Sequence, residues 1–209
     1  MTEILTTAFV TFLVTVDPFG VAPLFVGLTA HASAAERRRL AVRGVVIGSA
    51  ILIVFALVGE PLLRALGIGL PAFRIAGGIL LLLLAVDMVM ARQSGLRTMT
   101  PGEDAETHSR SDISVFPLGI PLIAGPGAIT SVVLLVGKVS GDIAAQAAVI
   151  GVLVGVLILT LICLLLAGQL MRLLGVTGIN VISRVSGIIV AALAVQFMID
   201  GVRAIWPGI

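Results

Sequence analysis

Two stretches decide how this chain folds: FVTFLVTVDPFGVAPLFVGL at residues 9–28 and VFPLGIPLIAGPGAITSVVLL at residues 115–135. Each is apolar for about the 20 residues that a bilayer crossing needs. Each also carries a helix-breaking pair near its middle, Asp17-Pro18 in one and Gly125-Pro126 in the other. Proline has no amide hydrogen and clashes with the turn before it, so neither helix should run through unbroken. Proline is, however, favoured at the first position of a new helix. Asp17 is therefore predicted to cap a half-helix that begins at Pro18, with Gly125 in the same place before Pro126. Pro23, Pro117 and Pro121 loosen the same spans further. The pattern predicts two helix N-termini near the bilayer centre, with free amides and positive dipole ends facing inward. Such backbone must line a cavity or pack within protein, because lipid cannot satisfy it. The alternative is two proline kinks that only shape the bundle, with Asp17 a plain cap. The same device at the same depth in both stretches weighs against that.

The rest of the chain agrees with a membrane setting. Of 209 residues 59% are hydrophobic and 11% charged, where soluble domains carry about 25% charge. A mean hydropathy of +1.22 leaves too little polar surface to cover a soluble fold of this size. Stretches poor in charge mark six spans: Ile4–Thr29, Leu40–Leu63, Leu70–Met90, Ile113–Gly137, Ile143–Met171 and Ile179–Val202. Nine arginines (37, 38, 39, 43, 92, 97, 110, 172 and 184) fall on or near the loops at 30–40, 91–112 and 172–179. Only Arg64, Arg74, Lys138 and Arg203 fall on the opposite face. That imbalance places the arginine-rich face in the cytoplasm and both termini outside. Trp206 suits an anchor at the interface.

Several functions are disfavoured by the same composition. The pI near 9.5 comes from 13 basic against 11 acidic residues, which is no nucleic-acid footprint. Cys163 is the only cysteine, so no intrachain disulfide or cysteine metal cluster is expected. His31 and His108 lie in loops without metal-ligand spacing. The start Met-Thr-Glu lacks the basic region of a cleaved signal peptide. The polar stretch 91–112 reads as a cytoplasmic linker.

The two halves resemble each other. LRALG at 63–67 matches MRLLG at 171–175, and GILLLLLAVDMVM at 78–90 matches GIIVAALAVQFMI at 187–199, at offsets of 108 and 109. Asp17-Pro18-Phe19-Gly20 falls opposite Gly125-Pro126-Gly127-Ala128 at 108. Three spans per half is an odd number, so the second copy is inverted relative to the first. The expected fold is an all-α membrane protein: six transmembrane helices as two inverted three-helix repeats, with spans one and four broken near the midplane. Residues 1–90 form the first repeat, 91–112 the linker and 113–209 the second, in one membrane domain. Secondary transporters built this way hold their substrate near the midplane, where the copies meet.

Polar residues inside the spans fill in a candidate site. Asp17 at mid-span costs at least roughly 2.5 kcal/mol on insertion scales, so it should face the bundle interior. Asp87 and Gln196 occupy matching repeat positions and are either interfacial caps or part of the site's surroundings. Thr130 and Ser131 either supply hydroxyls or bond back to their own helix. Arg74 and Arg184 are expected to snorkel. Gly151 and Gly155 form a G-x-x-x-G, read as packing inside the bundle rather than a dimer face.

The blocks DPFGVAPLF (17–25), FRIAGGILLLLLAVDM (73–88), FPLGIPLIAGPGAIT (116–130) and AVQFMIDG (194–201) resemble the MarC family over nearly the whole chain. Its members are six-span bacterial and archaeal inner-membrane proteins, also described as a neutral amino acid transporter family. The signature falls on Asp17, Pro18, Gly20 and Pro23, and on Pro117, Pro121, Gly125, Pro126, Gly127 and Thr130. What the resemblance implies is movement of small neutral amino acids such as glycine or alanine. The site then comprises Asp17, Pro18, Gly20, Gly125, Pro126, Gly127, Ala128 and Thr130. Amides at Gly125–Ala128 take the carboxylate of a small zwitterionic solute, and Asp17 takes its ammonium group or a coupling Na⁺ or H⁺. No further cofactor, no metal centre and no nucleic acid are expected; membrane lipid surrounds the protein, and the oligomeric state is open. Two other functions stand beside transport: a non-transporting membrane partner or assembly protein, and an enzyme acting on a lipid-linked substrate. The second lacks HExxH, paired intramembrane carboxylates and a nucleophile motif.

Overall fold

The computed structural model describes residues 1–90 and 114–206; the predicted linker at 91–112 lies outside the described residues. Regular structure among the described residues is entirely helical. In chain order the helices are α1 (Thr2–Val16), α2 (Pro18–Leu28), α3 (Ala34–Ala65), α4 (Leu70–Met90), α5 (Ser114–Ile123), α6 (Pro126–Lys138), α7 (Ile143–Leu165) and α8 (Ala167–Ile205). Five stretches are long and apolar enough to cross a membrane: Thr2–Leu28, α3, α4, α7 and Thr177–Ile205 within α8. The remaining predicted span, Ile113–Gly137, is divided between α5 and the 13-residue α6, so neither piece reaches that length.

The helix α5 is π-helical over its ten residues. Pro117 and Pro121 cannot donate to a normal α ladder. Its C-terminal end closes by a wide bond, from the amide of Ala124 to the carbonyl oxygen of Gly119 at 3.0 Å. Short π-helical segments recur at functional sites.

Surface and interior are reversed relative to a soluble protein. Leu57, Ile188 and Val46 point outward and are 60% exposed or more. Thr11, Thr15, Asp17, Thr130, Ser131 and Thr160 are buried. An apolar exterior of this extent fits hydrocarbon, not water.

Packing between the halves is reciprocal. The most extensive pairing joins α4 to α8. A Cβ added to Gly78 would meet Met198 and, at 2.7 Å, the carbonyl oxygen of Ala194. A Cβ added to Gly187 would meet Val89 and, at 3.1 Å, the carbonyl oxygen of Ala85. These are the same contacts with the halves exchanged, since 78, 85 and 89 stand 109 positions before 187, 194 and 198. The other contacts follow suit: α3 packs on α5 as α7 packs on α1, and α2 on α8 as α6 on α4. Small residues allow these close approaches where no hydrophobic drive separates helix from lipid.

Three expectations change in detail. The loop predicted at 172–179 narrows to a non-helical break at Gly175, at φ 62° and ψ 177°, which divides α8 into two helices and suits glycine. Arg37, Arg38 and Arg39 lie on α3, capped by Ser33, rather than in the loop predicted at 30–40. Arg37 donates from Nη2 to the carbonyl oxygen of Thr29 at 3.1 Å and so closes the end of α2. Gly151 and Gly155 do not pack inside the bundle: both are exposed, with no neighbour among the described residues within 4 Å of an added Cβ. The periodicity of α7 turns its buried face elsewhere, through Val149, Leu153 and Val156.

Candidate functional site

Both breaks form, by different local chemistry. Proline keeps the residue before it out of the right-handed helical region. Asp17, at φ 51° and ψ 63°, takes the left-handed conformation that aspartate tolerates better than most residues. It is the single non-glycine residue with positive φ among those described. Its amide still bonds to the carbonyl oxygen of Leu13 at 3.0 Å, ending α1. Its Oδ1 accepts from the amide of Gly20 at 3.0 Å, starting α2. Gly20 is required there, because a Cβ would stand 2.1 Å from Asp17 Oδ2. Asp17 is 2% exposed and is the sole charged side chain buried among the described residues.

Gly125 is extended, at φ −73° and ψ 166°, and has no side chain with which to cap α6. A Cβ there would come within 2.7 Å of the carbonyl oxygen of Pro121, so glycine lets the turn close this tightly. The first bond of α6 runs from the amide of Ile129 to the carbonyl oxygen of Gly125 at 3.0 Å. The amides of Gly127 and Ala128 precede it and have no intrahelical partner. Both residues line a small cavity together with Thr15, Leu80, Leu84, Pro121, Leu122, Gly125 and Pro126. Its volume is about 10 Å³, near the lower limit for one water molecule.

The structure thus brings Gly125, Pro126, Gly127 and Ala128 to one cavity. Asp17, Pro18 and Gly20 form the other break and do not line it. Thr130 is buried one turn into α6, its methyl filling the notch left by Gly77. Ser131 donates to the carbonyl oxygen of Gly127 at 2.8 Å, back along its own helix. Asp87 is half-buried away from the cavity. Gln196 is exposed and donates from Nε2 to Asp200 Oδ1 at 2.7 Å, one turn further along α8. Thr15, Leu80, Leu84 and Leu122 had not been singled out. Thr15 carried the one usable signal, a hydroxyl two positions before the Asp17 break. Among the described residues no three histidine, cysteine, aspartate or glutamate side chains group as metal ligands.

Comparison with known proteins adds a family. A model described as MarC family integral membrane protein matches residues 2–206. A UPF0056 membrane protein of Methanocaldococcus jannaschii is 38% identical, with 94% of each chain covered. The UPF0056 membrane protein YhcE of Escherichia coli is 33% identical, covering 96% of this chain and 93% of its own. One from Aquifex aeolicus is 35% identical over 94% of this chain and 91% of its own. No solved structure matches.

Proposed function

The chain belongs to the MarC family of integral membrane proteins, and from that premise we propose that it is a secondary transporter of small neutral amino acids in the bacterial or archaeal cytoplasmic membrane. One observation carries the reading: Gly127 and Ala128, at a helix start with no side-chain cap, line a cavity between the two halves. A helix N-terminus of this kind offers directed donors and a positive dipole end to a carboxylate. At the other break Asp17 already fills the corresponding place with its own carboxylate. The two ends therefore differ in charge, as the two ends of a zwitterion do. The reading assigns the solute's carboxylate to α6, and its ammonium group or a coupling Na⁺ or H⁺ to Asp17.

The reciprocal packing of α4 on α8 supports six spans arranged as two inverted repeats, and the basic imbalance favours both termini outside. In that architecture alternating access rocks one repeat against the other around a central site. A cavity with room for about one water belongs to the closed stage of such a cycle. The reading is one of transport without covalent chemistry, and it asks for no metal or organic cofactor.

Uptake of radiolabelled glycine and L-alanine into proteoliposomes holding the full chain tests it. Asp17→Asn keeps the capping oxygen and removes the charge, so the protein should fold while uptake falls at least tenfold. That needs about 1.4 kcal/mol. A wild-type protein that moves no small neutral amino acid would remove the reading.

A further inference from the structure

One face of α1 is lined by hydroxyls at helical spacing. Thr7, Thr11 and Thr15 follow each other at intervals of four, so they stack on one side of the helix. The row starts at the membrane face that carries the N-terminus and ends at Thr15, which lines the cavity at the Gly125 break. No charged residue stands between Ile4 and Val16.

The three hydroxyls are not equivalent. Thr7 donates to the carbonyl oxygen of Glu3 at 2.9 Å and Thr15 to that of Thr11 at 2.8 Å. That back-bonding is how a threonine in an apolar helix ordinarily satisfies itself. Thr11 does not do so: it is fully buried, and its Oγ1 has no hydrogen-bond partner among the described residues. A buried hydroxyl left unmade is costly, and such an atom calls for an account. In the other half the positions 108 residues on are Val115, Gly119 and Ile123. None carries a hydroxyl, so the row exists on one side of the cavity and not on the other.

We propose that the Thr7–Thr11–Thr15 face of α1 is the access path between the cavity and the membrane face bearing the N-terminus. The Thr11 hydroxyl is the station at which a passing solute or its water hydrogen-bonds. A path of hydroxyls without fixed charge suits a small solute of zero net charge that can hydrogen-bond. This rests on the cavity's being the transport site, and it adds the route and the side from which it is polar.

The test uses full-length protein with Cys163→Ser, carrying Thr11→Cys or Val16→Cys. Both positions are fully buried, but Val16 points well away from the threonine face. A small impermeant thiol reagent, applied in proteoliposomes from the N-terminal side, should modify Thr11→Cys at least tenfold faster than Val16→Cys. Equal rates, or no reaction at Thr11→Cys, would overturn the path while leaving the cavity as a site. A second pair of variants reads the hydroxyl itself. Thr11→Val, which keeps the shape, should leave thermal stability unchanged or raised and cut [¹⁴C]glycine uptake at least tenfold, with Thr11→Ser restoring it. A Thr11→Val protein that melts lower and transports normally would make the hydroxyl structural and overturn the proposal. Should the parent protein move no glycine, the transport reading fails and the labelling rates alone decide the path.

Discussion

Gly78 in α4 lies so close to Ala194 in α8 that a Cβ on it would stand 2.7 Å from the alanine's carbonyl oxygen. Backbone cannot retreat as a flexible side-chain tip can, so this contact sets how closely the two halves approach. Gly187 makes the exchanged contact with Ala85. Gly78→Ala and Gly187→Ala should each destabilise the protein by about 1–3 kcal/mol through overpacking. Gly151→Ala, which meets nothing among the described residues within 4 Å, should be neutral or better, because alanine favours helix. Thermal unfolding in detergent distinguishes them. A loss at Gly151 equal to that at Gly78 would remove the special role given to the α4–α8 contact.

The capping of α2 makes a separate prediction. In Gly20→Ala the new methyl would stand 2.1 Å from Asp17 Oδ2, so the carboxylate must leave the amide of residue 20. Loss of an N-cap costs about 1 kcal/mol. Melting should drop clearly more for Gly20→Ala than for Asp17→Asn, which keeps the capping oxygen. The reverse order would show that the charge of Asp17, rather than its cap, holds the break together.

How much of this could be read from sequence depended on the kind of constraint. Asp17-Pro18 and Gly125-Pro126 announced both breaks, because proline's missing donor acts locally, whatever surrounds it. The matched blocks at 78–90 and 187–199 were visible as a repeat, and the helices that carry them pack reciprocally. The cavity lining was less legible. Leu80, Leu84 and Leu122 reach it by tertiary packing, and a leucine in a leucine-rich helix carries no mark of the side it faces. Gly151 and Gly155 failed for the same reason. Spacing alone does not say whether a small-residue face meets a helix or the exterior. The residue pattern did show that Asp17 can satisfy its own half-helix while Gly125 brings no capping side chain. That asymmetry comes from side-chain chemistry at one position.

Orientation follows from the charge imbalance. In the Cys163→Ser background, His31→Cys and Ser140→Cys place thiols at exposed positions at opposite ends of the spans. With nine basic residues on one face and four on the other, the face bearing residue 31 is assigned to the cytoplasm. An impermeant thiol reagent added to intact cells should label Ser140→Cys and spare His31→Cys. Labelling of His31→Cys alone would invert the topology and, with it, the side on which the threonine path opens.

Crowding the cavity gives a further outcome. In Gly127→Val the added atoms meet the tips of Leu84 and Leu81, 2.9 and 3.2 Å from the new Cβ. These are flexible side chains, so the fold should survive. The space beside the amides should not. Glycine uptake should fall at least tenfold with no change in the protein's charge, whereas uptake at the wild-type rate would place the solute elsewhere.

The central claim is that the amides of Gly127 and Ala128 hold a carboxylate, and its most direct measurement compares two ligands that differ in that group alone. L-alanine and L-alaninamide have nearly the same size and the same ammonium end, but only the first bears a carboxylate. Calorimetric titration of the purified wild-type protein should give L-alanine at least tenfold tighter binding, a difference of about 1.4 kcal/mol or more. Equal affinity for the two, or binding of neither, would contradict it.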